Sequence, residues 1–120
     1  MTIRDEQFAA FRQERLKRLE PVLAARLREA ELSALSELDD RALAQRVREV
    51  IARCVAAGLD EEGPVSAAVM LAFDFDLDWM ARRGARAILA DRAASQGARM
   101  EAVSRWYARG GWAEPTEEAR

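Results

Sequence analysis

No histidine occurs anywhere in these 120 residues. That removes the usual general base, the usual neutral metal ligand and every Ser-His or Cys-His pair. Any enzyme built here would run on carboxylates, arginine or tyrosine. One cysteine, Cys54, excludes an internal disulfide and is compatible with a reducing cytoplasm. Lys17 is the single lysine against 18 arginines, which reads as codon bias in a GC-rich bacterial genome. No apolar run approaches the ~20 residues that span a bilayer. The charged start "MTIRDEQFAAFRQ" has no apolar core of the secretory kind, so a cytoplasmic protein is expected. There is no acidic or basic block, no repeat and no low-complexity linker, and the net charge is −2. Duplex nucleic acid favours a basic partner, so nucleic-acid binding is not expected.

What is present is helical pattern. Half the residues are hydrophobic, many of them alanine, and the length suits one domain with a modest core. We expect an all-α, single compact bundle of about five helices over residues 1–110, with a flexible tail at 111–120. Thr2 caps a first helix whose stripe is Phe8, Phe11, Leu16, Leu19, Leu23 and Leu27. Pro21 kinks or splits it, leaving open whether this helix packs on its own bundle or on a second copy. Residues 30–38 form a connector. Asp39 or Asp40 opens a second helix with an apolar face of Leu43, Val47, Val50, Ile51, Cys54 and Val55, a surface pair Glu49–Arg53, and a stop at Gly58. Gly63 as cap with Pro64 behind it starts a short, apolar, central helix through Val65, Val69, Met70 and Phe73. A helix from Trp79 to Leu89 follows. Ser95 then caps a last helix that ends at Gly110-Gly111.

The stretch "AFDFDLDWM" (72–80) carries the one pattern that suggests chemistry. An EF-hand loop begins D-x-D-x-D but needs glycine at position six and glutamate at position twelve. Counted from Asp74, those positions are Trp79 and Ala85. The structural reading therefore outweighs a metal site: Asp78 caps the next helix, Phe75 plugs the bundle, and Asp76 supports the turn or an arginine. Di-iron bundles need Glu-x-x-His, which is absent here. Cys54, on an apolar face, reads as a small buried hydrophobe rather than a nucleophile. No catalytic, cofactor or metal residue is assigned.

Contact chemistry is richer. Arg82, Arg83 and Arg86 share part of a helix surface, and Trp106 and Tyr107 lie beside Arg105 and Arg109. Aromatic residues with arginine neighbours suit an interface. The expected partner-binding set is Trp79, Arg82, Arg83, Trp106, Tyr107 and Trp112.

From Ser36 onward the segments "LDDRALAQRVREVIARCVAAGLDEEGPV", "AVMLAFDFDLD", "ARAILADRA" and "ARMEAVSRWYA" follow in an order that resembles a family of small helical proteins encoded in bacterial type VI secretion clusters, near spike-tip (PAAR) and effector genes. The matching positions are Gly58, Glu62, Val65, Phe75, Asp76, Ala85, Arg86, Ile88, Leu89, Asp91, Met100 and Tyr107, across roughly two-thirds of the chain. A glycine-proline pair usual before Phe-Asp is missing, and Gly84 stands where a tryptophan is usual. The resemblance implies a non-enzymatic accessory protein, chaperone-like or an adaptor, that loads or stabilises a secreted effector or spike component. It supplies no catalytic residue. The alternatives are an immunity protein that neutralises a toxin and a helical nucleic-acid-binding regulator. A homo-oligomer remains open.

Overall fold

The computed structural model describes residues 2–32 and 35–111, with side chains from residue 10 onward in the first helix. It is all-helical, with five α-helices and no strand among the described residues. They are α1 (Thr2–Glu29), α2 (Asp40–Ala56), α3 (Glu62–Asp74), α4 (Arg83–Ala90) and α5 (Gln96–Ala108), with a 3-10 turn, Trp79–Ala81, between α3 and α4. The expected caps at Thr2 and core position Phe8, and the tail with Trp112, lie outside the described side chains and residues.

The core explains the packing order. α3 is apolar nearly all round and is short enough to sit centrally. Val65, Ala68, Val69 and Ala72 are buried, and the helix touches α1, α2 and α5. Alanine at 68 and 72 lets neighbouring backbones come close. α1 closes on α2 and α3 of its own chain through Leu16, Leu23 and Leu27, and α4 packs on α5. Pro21 is exposed and the helix runs through it unbroken. Its missing N–H removes the donor to the carbonyl of Lys17, a loss that falls where water replaces it. The apolar stripe of α1 begins later than its sequence suggests: Phe11 is 64 % exposed, with the Arg15 guanidinium 5.3 Å from its ring centroid. Ala10 to Arg15 all face solvent.

Helix ends decide the rest. Asp39 caps α2, its carboxylate accepting from the Ala42 N–H at 2.7 Å. The helix stops in a Schellman arrangement: Leu59 N–H donates to the Cys54 carbonyl at 2.8 Å and Gly58 N–H to the Val55 carbonyl at 3.0 Å. Gly58 holds φ +87°, and buried Leu59 and Cys54 supply the accompanying apolar contact. Val55, expected on the apolar face, is 45 % exposed, because its position rotates past the stripe set by Val47, Val50 and Cys54. The pair Glu49–Arg53 does not form. Glu49 accepts from Gln45, while Arg53 reaches the Leu77 carbonyl and the Asp78 carboxylate.

α3 begins earlier than expected. Its cap is Glu61, not Gly63, which puts Pro64 at the third helical position, the last one whose N–H has no intrahelical acceptor. The cap's side chain makes no capping bond. Gln96, the first residue of α5, does the work instead. Its Oε1 accepts from the N–H groups of Asp60 at 2.8 Å and Glu61 at 3.0 Å, and its Nε2 donates to Asp60 Oδ1 at 2.7 Å. Arg12 of α1 donates to the other Asp60 oxygen at 3.0 Å. Partial burial would raise the Asp60 pKa, but the Gln96 and Arg12 hydrogen bonds and the Arg12 charge outweigh it and hold the carboxyl below its usual value. Arg99, also on α5, is 5 % exposed and donates to the carbonyls of Leu89 at 3.1 Å and Gly58 at 3.2 Å. It thus satisfies the ends of α4 and α2 together. On the other side, Arg28 fastens the α1–α2 connector by donating to the Leu35 and Leu38 carbonyls and lying 3.3 Å from Asp40.

Candidate partner-binding surface

The corner between α3 and α4 carries three of the six residues expected to meet a partner, Trp79, Arg82 and Arg83. It is not a continuous helix from Trp79 to Leu89. The 3-10 turn at 79–81 is followed by Arg82 in extended backbone as the cap of α4. This break turns Trp79 inward. Its indole is fully buried, and Nε1 donates to the Ala68 carbonyl of α3 at 3.1 Å. Trp79 is therefore a core plug and cannot anchor a partner on this fold.

Asp76 organises the turn that makes this possible. Its Oδ1 accepts from the Asp78 N–H at 3.0 Å, and its Oδ2 accepts from Arg82 Nε at 3.1 Å, with Nη2 at 3.0 Å. This two-pronged contact suits the planar guanidinium. Arg82 is thereby committed internally, and its Cζ lies 4.9 Å from the Phe75 centroid. Asp78 holds the cap position of the 3-10 turn, but its side chain makes no capping bond there and pairs with Arg53 at 2.8 Å instead. Asp74, the last residue of α3, is exposed. Among the described residues no group of three acidic or cysteine side chains is placed to hold a metal ion. Cys54 is buried, which pushes its thiol up to about 12 despite an opposing backbone hydrogen bond. At neutral pH it is a protonated apolar filler rather than a nucleophile.

The aromatic cluster is split between core and surface. Phe75 meets Tyr107 edge-on at 4.9 Å and Trp106 at 6.5 Å. Trp106 is 4 % exposed, because Gly111 folds onto its indole: a Cβ at that glycine would lie 2.2 Å from Cε2. Trp106 is thus a second correction to the expected surface set. Tyr107, one position on and rotated by about 100°, is half-buried. Arg83 is exposed and pairs with no described residue.

Tyr107 marks a feature that the sequence hid. It lines an open groove of about 340 Å³ between α3 and α5, together with Leu32, Met70, Leu71 and Met100, with Asp74 and Ser104 as its polar margin. Met70 and Phe73 carry the helical spacing of core residues, and both are only half-buried. α3 and α5 are in contact, yet Met70 and Leu71 stay only half-buried along the groove. Periodicity along α3 alone cannot show it, since α3 has apolar residues on every face. No described helix is long and apolar enough to cross a membrane.

No family model, curated protein or solved structure matches this chain.

Proposed function

We propose that the protein is a non-enzymatic binding module, and that it serves as an accessory or adaptor protein of type VI secretion that engages a secreted effector or spike-tip component. The resemblance described above motivates the secretion setting. The observation that carries the binding role is the α3–α5 groove. It has the size of a small-ligand or side-chain pocket, it is lined by methionine and tyrosine, and Asp74 stands free at its margin. Methionine-rich grooves accept apolar helices of varied sequence because the thioether chain adapts its shape. The partner segment is then an amphipathic helix that buries apolar side chains on Met70, Leu71 and Tyr107 and sets a lysine or arginine against Asp74. Burial supplies affinity and the charge pair fixes register.

The test is affinity purification of the tagged full chain from its native cell, beside Met70→Glu, with co-purifying proteins identified by mass spectrometry. Met70 is half-buried, so the variant is first shown to fold by circular dichroism. The expected result is an effector or spike component retained by the parent chain and reduced at least tenfold by Met70→Glu. Equal recovery with both chains overturns the groove as the site, and recovery of no secretion component overturns the setting.

A further inference from the structure

A second concavity, of about 390 Å³, lies where the C-terminal ends of α2 and α4 meet, and it shares no lining residue with the groove. Met80, Leu89 and three alanines form an apolar floor, and three arginines, Arg53, Arg86 and Arg92, line it. Among the described residues, only Arg53 of these three pairs with a carboxylate, that of Asp78. Arg86 and Arg92 pair with no described residue. Directly behind the lining residues Ala57 and Leu89 lies Arg99, whose donors meet only backbone carbonyls and whose Nε has no partner. Arg92 and Arg99 close on the same glycine. A Cβ at Gly58 would lie 2.1 Å from Arg92 Nη1, while Arg99 Nη2 donates to the Gly58 carbonyl. The two helix ends contribute about half a negative charge each. With Asp78, and with Asp91 between the lining residues Ala90 and Arg92, they offset about three of the four guanidiniums, so the cleft keeps a positive balance in a chain whose net charge is −2.

We infer that this cleft is a binding site for an acidic peptide segment in which carboxylates flank an apolar side chain. Planar guanidiniums hold carboxylates in two-pronged pairs, and the alanine floor with Met80 and Leu89 buries the apolar residue between them. A nucleic acid suits the site less well. A phosphate backbone gains nothing from the apolar floor of Met80, Leu89 and the alanines.

The experiment is an amide-resolved NMR titration of the full chain at low salt with the probe peptide acetyl-Asp-Leu-Glu-Leu-Asp-amide. Its counterpart carries Asn and Gln in place of the acids, and inorganic phosphate is a third titrant. The acidic peptide is expected to shift the amides of Ala56, Ala57, Leu89 and Ala90 and to bind at least tenfold more weakly to the double variant Arg86→Gln, Arg92→Gln. Both arginines are exposed, so that variant keeps its fold; single Arg86→Gln, expected to weaken binding at least threefold, covers the case where it does not. Arg41→Gln, on α2 far from the cleft in sequence, is expected to bind as the parent does. Equal affinity of the uncharged peptide, unchanged affinity in the cleft variants, or an equal loss in Arg41→Gln overturns the assignment. Phosphate that shifts the same amides at the same concentration as the peptide also overturns it, because the apolar floor then adds nothing.

Discussion

The junction between α2 and α3 and the junction between α3 and α4 do the same job by different means. At the first, residues 57–61, the chain turns within a local glycine stop, and the next helix is then capped from a distance. Gln96, Arg99 and Arg12 supply the partners that residues 57–61 lack. At the second, residues 75–82, the turn is held by its own Asp76–Arg82 contact and by an indole driven into the core. The first depends on polar geometry set by α1 and α5. The second rests on apolar burial, with polar contacts only shaping the turn. An apolar plug responds to loss of volume, whereas a polar clamp responds to loss of one acceptor and to protonation.

Removing the plug gives the largest expected effect. Trp79→Ala vacates a fully buried side chain and leaves the cavity behind, at a cost of about 3–5 kcal/mol; urea unfolding measures it. If the loss stays under about 1 kcal/mol, the second junction is not organised by burial. Gln96→Ala sharpens the contrast. It strips the acceptor from two N–H groups at the start of α3 and is expected to cost about 1 kcal/mol in the same assay, the usual range for a lost cap. The polar clamp also has a pH signature. Because the Asp60 carboxyl is held below its ordinary value, its contribution is complete above the unfolded-state value near 3.8 and is lost as pH falls further. Comparing stability at pH 5 and pH 3 for the parent and Asp60→Asn isolates that part, which the variant should lack. The smallest effect belongs to the exposed pair at the second junction. Arg53→Ala removes the 2.8 Å contact with Asp78, where solvent screening limits the cost to under about 0.5 kcal/mol.

Fold class and most helices were readable because the signals are local. Leu43, Val47, Val50 and Cys54 repeat at helical spacing, Asp39 and Ser95 are caps, and Gly58 is a stop. The candidate surface was readable only in part. Tyr107 and Arg83 remain accessible, whereas Trp79 and Trp106 are core and Arg82 is spent on Asp76. A tryptophan beside arginines looks alike in sequence whether it plugs a core or meets a partner. Which one it does depends on the 3-10 break at 79–81 and on Gly111 lying over an indole, and neither has a periodic signature. Arg99 and Gln96 carried no signal, since each reads as an ordinary polar helix residue. A capping residue immediately before a helix is visible to inspection, but one that belongs to another helix is not.

The residues by themselves settled that this chain is helical, where most helices stop, and that histidine-dependent chemistry is excluded, because those depend on interactions spanning a few positions and on composition. Tertiary structure alone decided where α3 begins, which aromatics face inward, and that two concavities of opposite character lie open, one apolar with a single acid at its margin and one rimmed by guanidiniums. The physical reason is reach: a hydrogen bond or a buried ring joins groups tens of residues apart, and only the packed bundle sets which groups those are.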